Sequence, residues 1–136
     1  MKNTLFKGVA TALITPFKEN GEVDFAALKK LIDWQITEGI NALVICGTTG
    51  ESPTLSDSEK LEMFRRAKKY TGDRCLIIAG TGSNDTAHAV SLSMAAEDAG
   101  ADALLVVTPY YNKATPEGLL AHYLAIAQAV TIPIII

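Results

Sequence analysis

Apolar runs recur along this chain at a spacing of roughly 30 residues, beginning near Val9, Asn41, Cys75, Asp102 and Ile132, and a helical pattern fills each gap. Alternation of that period predicts successive β-α units on one parallel sheet. The runs Val9–Thr15, Ala42–Cys46, Cys75–Ala79 and Leu104–Thr108 are nearly continuous instead of alternating, as in strands covered on both faces. Eight such units occupy about 250 residues in a closed (β/α)8 barrel. The 136 residues hold four units and a fifth strand, Ile132-Pro133-Ile134-Ile135-Ile136. The expected architecture is therefore α/β, a partial parallel barrel of the TIM type. Residues 1–136 are read as the N-terminal half of a barrel with no internal boundary. A half-barrel leaves two sheet edges and an apolar face open, so a homo-oligomer, dimer or larger, is expected.

The gaps carry helix punctuation. Asp24 can cap a helix that places Leu28, Leu31, Ile32 and Ile36 on one face, with Gly39 just beyond its end. Ser56-Asp57-Ser58-Glu59 is a capping box followed by Leu61, Phe64 and Ala67 at helical spacing, and Gly72 is its stop. Asn84 and Asp85 offer caps for a third helix running to Gly100. Thr115-Pro116-Glu117 places a cap, a proline at the first helical position and an acid in the first turn.

Composition excludes several classes of function. With 12 basic against 15 acidic residues the net charge is -3, which offers no electrostatic attraction to nucleic acid or an anionic membrane. The pairs Lys29-Lys30, Arg65-Arg66 and Lys68-Lys69 read as solvated helix faces. No apolar run approaches a bilayer-spanning length, and Met1 to Lys7 carries no signal-peptide core, so a cytoplasmic protein is expected. Cys46 and Cys75 form no CxxC and have no histidine at ligand spacing; buried free thiols are expected, and no metal site.

In parallel α/β folds, ligands gather at the carboxyl ends of the strands. The segments there are Gly47-Thr48-Thr49-Gly50-Glu51-Ser52, Gly80-Thr81-Gly82-Ser83-Asn84 and Thr108-Pro109-Tyr110-Tyr111-Asn112-Lys113. Glycines permit close backbone approach, and threonine hydroxyls and amides suit a small carboxylate. These loops read equally as ordinary tight turns or as a binding rim. Neither glycine loop has the spacing of a nucleotide-phosphate cradle. His88 and His122 fall on helical patterns and read as surface or packing residues.

The two motifs Gly47 to Ser52 and Thr108 to Asn112, with Thr15-Pro16-Phe17 and Ala79-Gly80-Thr81-Gly82 at matching relative positions, resemble the dihydrodipicolinate synthase family of pyruvate-dependent aldolases. The resemblance implies a lysine-biosynthesis enzyme that joins pyruvate, held as an imine on a lysine, to aspartate semialdehyde, with no metal or organic cofactor. It implies that Thr48 relays protons, that Thr49 binds the pyruvate carboxylate, and that Tyr111 is donated across a dimer interface into the neighbour's site. Thr15 and Ser52 are read as supporting hydroxyls or turn residues. Another pyruvate aldolase, such as N-acetylneuraminate lyase, or a non-catalytic half-barrel scaffold are the alternatives.

Two departures from the family pattern shape the expectations. None of the nine lysines falls on an apolar strand where an imine lysine is required, and a second tyrosine of the relay is absent, so this chain alone is expected to be inactive. In lysine-inhibited members the resemblance implies an effector pocket with a histidine and a glutamate at the positions of Lys60 and His88, beside Ser52, Asn84 and Tyr110. Here those substitutions place a cation near the effector's ammonium groups and remove an acid, so insensitivity to lysine is expected.

Overall fold

The structure, a computed structural model, describes residues 4–136; Lys2 and the start of the N-terminal stretch Met1 to Lys7 lie outside the described residues. Four helices alternate with five strands: β1 (Ala10–Ala12), α1 (Phe25–Thr37), β2 (Ala42–Ile45), α2 (Asp57–Thr71), β3 (Leu76–Gly80), α3 (Thr86–Asp98), β4 (Ala103–Leu105), α4 (Pro116–Ala129) and β5 (Ile134–Ile135). The sheet runs β1-β2-β3-β4-β5 with every neighbouring pair parallel, and it is open.

Side chains on successive strand residues point to opposite faces, and the two faces have different partners. Leu43, Ile45, Ile77, Ala79 and Leu104 share a buried cluster with residues of all four helices, among them Leu28 and Ile32 of α1, Phe64 of α2, Leu92 of α3 and Ile126 of α4. Ala42, Val44, Ile78 and Ala103 form a second cluster with Leu5, Phe6, Leu105 and Ile135, which contains no helical residue. All the helices therefore cover one face, which is the wall arrangement of a barrel and not of a doubly wound sheet.

The strands are shorter than their apolar runs. β1 keeps only Ala10–Ala12 of Val9–Thr15, and its exposed Val9 and Ile14 contradict the expectation of a strand covered on both faces. It has a neighbour on one side only. β4 leaves the sheet after Leu105, before the expected end at Thr108, because the chain turns there into the loop preceding α4. The expected limits of β2 and β3 hold to within one residue.

The helix signals act locally and appear as expected. Asp24 accepts from the amides of Ala26 and Ala27, Asp85 from Ala87 and His88, and Thr115 from Gly118. In α2 the Ser56 hydroxyl accepts from the Glu59 amide at 3.3 Å while Glu59 Oε2 accepts from the Ser56 amide at 2.8 Å. Gly72 stops that helix at φ 55, a left-handed φ that favours glycine.

Not every basic pair is a solvated face. Lys68 Nζ reaches Asp102 Oδ1 at 2.7 Å, and Asp102 Oδ2 accepts from the Ile77 amide at 2.8 Å, so one carboxylate joins α2, β3 and the start of β4. Arg66 lies 4.0 Å over the Phe25 ring and donates to Glu62 at 2.6 Å. These guanidinium and ammonium groups link elements that the helical pattern alone could not pair. No helix among the described residues is long and apolar enough to cross a membrane.

The capping box yields a stability expectation. Ser56→Ala removes the hydroxyl that satisfies the Glu59 amide and is expected to cost about 1 kcal/mol. A urea unfolding midpoint unchanged from that of the parent chain would contradict it.

Candidate functional site

The site is built where three strand ends converge. After β2 the backbone of Cys46 turns into the left-handed region at φ 55, and Glu51 does so again at φ 57, separating two short 3-10 turns, Thr48–Gly50 and Ser52–Thr54. Left-handed geometry in a residue with a side chain costs on the order of 1 kcal/mol or more and persists where surroundings enforce it. The bend is packed closely against Gly80, which only glycine allows: a Cβ there would stand 2.3 Å from the Cys46 carbonyl oxygen and 2.9 Å from the Gly47 nitrogen. On the other side, a Cβ at Gly82 would stand 2.5 Å from the Val107 nitrogen. The buried Thr15 hydroxyl donates to the Gly50 carbonyl at 2.7 Å, fastening the segment after β1 to the same turn.

The glycines of Gly80-Thr81-Gly82 thus serve close packing between neighbouring strand ends. Thr81 is no part of an anion rim. Its hydroxyl is buried and pairs with Ser93 of α3 at 2.8 Å.

Around this junction lies a cavity of about 550 Å³, walled by Thr48, Ser52, Lys60, His88 and Tyr110 together with Cys46, Gly47, Gly80, Gly82 and the apolar Leu55, Leu105 and Val107. Its charged wall is a connected network. His88 Nε2 lies 2.8 and 3.0 Å from the two oxygens of Asp57, and His88 Nδ1 lies 3.2 Å from the Ser83 hydroxyl. Because a carboxylate only accepts, Nε2 carries a proton, and in the neutral ring Ser83 donates to Nδ1. Lys60, only 7% exposed although it lies on a helix, places Nζ 3.6 Å from Asp57 Oδ1.

Desolvation raises the Asp57 carboxyl, but the hydrogen bond and charge of His88, with the charge of Lys60, outweigh it and hold the group below its ordinary 3.8. Burial pushes the Cys46 thiol up to about 12, against a smaller opposing effect of Lys60, so this cysteine stays protonated. It is no nucleophile. Both cysteines are buried and free, as expected.

Of the residues singled out from sequence, Thr48, Ser52, Lys60, His88 and Tyr110 share the cavity, while Thr49, Asn84 and Tyr111 are not on its walls. Thr49 sits exposed in the first 3-10 turn. The Asn84 carbonyl accepts from Asn112 Nδ2 at 2.8 Å, tying the loop after β3 to the loop after β4. Tyr111 is 99% exposed at φ 65, whereas Tyr110 turns toward the cavity. His122 is a packing residue, 3% exposed with Nδ1 2.9 Å from the Thr86 hydroxyl, whereas His88 is half-buried inside the network.

Asp57 and Ser83 escaped the sequence reading. The i, i+3 spacing of Asp57 and Lys60 places them on one helix face, a signal masked by the membership of Asp57 in the capping box.

A model of the dihydrodipicolinate synthetase family matches residues 5–136. A 4-hydroxy-tetrahydrodipicolinate synthase of Lachnoclostridium phytofermentans is 52% identical over 132 residues, covering 97% of this chain and 45% of the relative. One of Agrobacterium fabrum is 54% identical with the same coverages. The chain thus spans less than half the length of the curated relatives it matches. Among solved structures, dihydrodipicolinate synthase of Aquifex aeolicus superposes with a TM-score of 0.92 at 51% identity, over 95% of this chain and 44% of that one. The Cyanidioschyzon merolae enzyme with lysine bound gives 0.93 at 41% identity, over 97% and 45%.

The network sets a titration that can be read directly. The Asp57 carboxyl is expected to titrate below 3.8 by carbon-detected NMR, and His88→Gln, which removes its principal stabilising partner, is expected to raise the midpoint. A midpoint at or above 3.8 in the parent chain, or one unmoved by the substitution, would contradict the assignment.

Proposed function

The chain belongs to the dihydrodipicolinate synthetase family, and from that premise we propose that it contributes the N-terminal half of a 4-hydroxy-tetrahydrodipicolinate synthase barrel. That enzyme condenses pyruvate, held as a lysine imine, with aspartate semialdehyde in the route to diaminopimelate and lysine. The observation that carries the reading is the exposed hydroxyl pair Thr48-Thr49 on a strained turn at the carboxyl end of β2, with Thr48 on the cavity wall and Tyr110-Tyr111 presented by the loop after β4.

In this reading Thr49 holds the pyruvate carboxylate through its hydroxyl and amide. Thr48 passes protons, because an imine forms and collapses through a carbinolamine that must gain and lose a proton at each stage. Tyr111 completes the relay of a second copy of the chain: its ring is fully exposed, as a side chain destined for a partner's site would be. The protein is read as a cytoplasmic homo-oligomer, and the chemistry as needing neither metal nor organic cofactor. Lys60, the cavity's lysine, is ion-paired on a helix beside Asp57 and is not read as the imine lysine.

Two measurements test this. In the complete barrel containing this chain, Thr48→Val is expected to lower kcat about 100-fold, the scale of a lost proton-transfer group. Thr49→Val acts chiefly on the KM for pyruvate, and full activity in both variants would refute the assignment. On the chain by itself, borohydride with pyruvate is expected to leave every lysine unmodified, and a reduced adduct on Lys60 would reverse that reading.

The effector positions Ser52, Lys60, His88 and Tyr110 on the cavity wall, with Asn84 beside it, are read as a pocket that rejects lysine. An ammonium at Lys60 opposes the effector's own ammonium groups, and the nearby acid, Asp57, is already engaged by His88 and Lys60. Activity in the complete barrel is expected to be unchanged by millimolar lysine, and inhibition there would contradict the pocket's charge reading.

A further inference from the structure

Beyond β1, Leu13 and Thr15 are buried while Ile14 between them is exposed, so a hydroxyl stands where that alternation calls for an apolar side chain. The segment is held at both ends. The Leu13 amide donates to the Val44 carbonyl at 3.0 Å, and the Pro16 carbonyl accepts at 2.8 Å from the amide of Asp24, the cap of α1. A hydroxyl only 4% exposed needs a partner, and that of Thr15 is the Gly50 carbonyl, 35 positions away in the sequence.

Gly50 has reason to accept it. The glycine is buried and closes the first 3-10 turn, its amide donating to the Gly47 carbonyl at 3.0 Å. The residues that follow offer its carbonyl no amide: Pro53 carries no N–H, and the Thr54 amide donates to the Glu51 carbonyl at 2.9 Å. The turn also rests directly on the segment after β1, because a Cβ at Gly50 would stand 3.0 Å from the Leu13 carbonyl oxygen and 3.3 Å from the Thr15 hydroxyl. Thr48 and Thr49, exposed in the same turn, move with it.

We propose that Thr15 is a positioning residue: through the Gly50 carbonyl its hydroxyl orients the Thr48–Gly50 turn, and with it both threonine side chains. The inference rests on the pyruvate reading above, in which Thr48 passes protons and Thr49 holds the carboxylate. Thr15 itself is not on the cavity wall and touches no reacting group. Two tasks on one turn give a distinctive signature. A turn that shifts as a body disturbs kcat through Thr48 and the KM for pyruvate through Thr49, whereas a loss of stability alone reduces the amount of active protein and leaves KM where it was.

Thr15→Val keeps the side-chain shape and removes the donor. In the complete barrel containing this chain it is expected to lower kcat about tenfold and raise the KM for pyruvate about threefold, with the KM for aspartate semialdehyde within about twofold of the parent. Thr15→Ser keeps the donor and should restore both constants. In a Thr48→Val background, Thr15→Val should lower kcat by less than about threefold, because the group it positions is gone. Gly50→Ala crowds the same contact from the other side and should also raise the KM for pyruvate, so the proposal stays testable should Thr15→Val fail to fold. On the full chain by itself, the carbonyl carbon resonance of Gly50 and the amide resonances of Thr48 and Thr49 should move in Thr15→Val and return in Thr15→Ser, a readout independent of the pyruvate reading. Parent constants in Thr15→Val, or in Gly50→Ala where Thr15→Val does not fold, would overturn the proposal. So would a fall in kcat with the KM for pyruvate unmoved, an undiminished effect in the Thr48→Val background, unmoved turn resonances, or no restoration by Thr15→Ser. Full activity in Thr48→Val and Thr49→Val is the separate outcome that removes the pyruvate reading, and the positioning role with it.

Discussion

The absence of a side chain at position 80 governs the site. A Cβ there would overlap the Cys46 carbonyl at 2.3 Å, and both atoms belong to backbone that the sheet holds in register through Ile45 and Ala79. With glycine, the end of β3 closes against the turn after β2, leaving room for the left-handed bend at Cys46. From that bend follow the two 3-10 turns that bring Thr48 and Ser52 to the cavity. Gly82 repeats the device one strand further, against Val107.

Electrostatics in the cavity are arranged around a carboxylate, Asp57, that stands at the first turn of α2. Its position favours an anion because unpaired amides and the helix dipole both point there. His88 and Lys60 then compete for it, and the geometry settles the contest in favour of the imidazole, at 2.8 Å against 3.6 Å. Lys60 is left with donors to spare. A helix that reads as amphipathic therefore delivers a largely buried cation to the cavity wall, where a single counter-charge matters more than it would on a solvated face.

The two tyrosines of the loop after β4 divide their roles by backbone geometry. Tyr110 turns toward the cavity, and the left-handed φ of Tyr111 sends the next ring into solvent. Asn112, reaching across to the Asn84 carbonyl, fixes the loop against its neighbour. The likeness to dihydrodipicolinate synthases extends over nearly all of this chain and under half of theirs. The shared portion is the part of the barrel wall that carries these three loops.

The alternation of strands and helices, the four caps and the glycine stops were legible in the sequence because each depends on residues within a turn or two of one another. A capping box closes over three residues, and an apolar period repeats whatever packs beside it. The Thr48-Thr49 and Tyr110-Tyr111 motifs were legible by resemblance. Tertiary structure alone decided which of those residues meet. His88 finds Asp57 across 31 positions, and Gly80 finds Cys46 across a strand boundary, contacts that no local period encodes. The exposed face of β1, the early departure of β4 from the sheet and the burial of Lys60 were decided the same way. Each depends on how neighbouring units stack, which a helical or strand pattern leaves open.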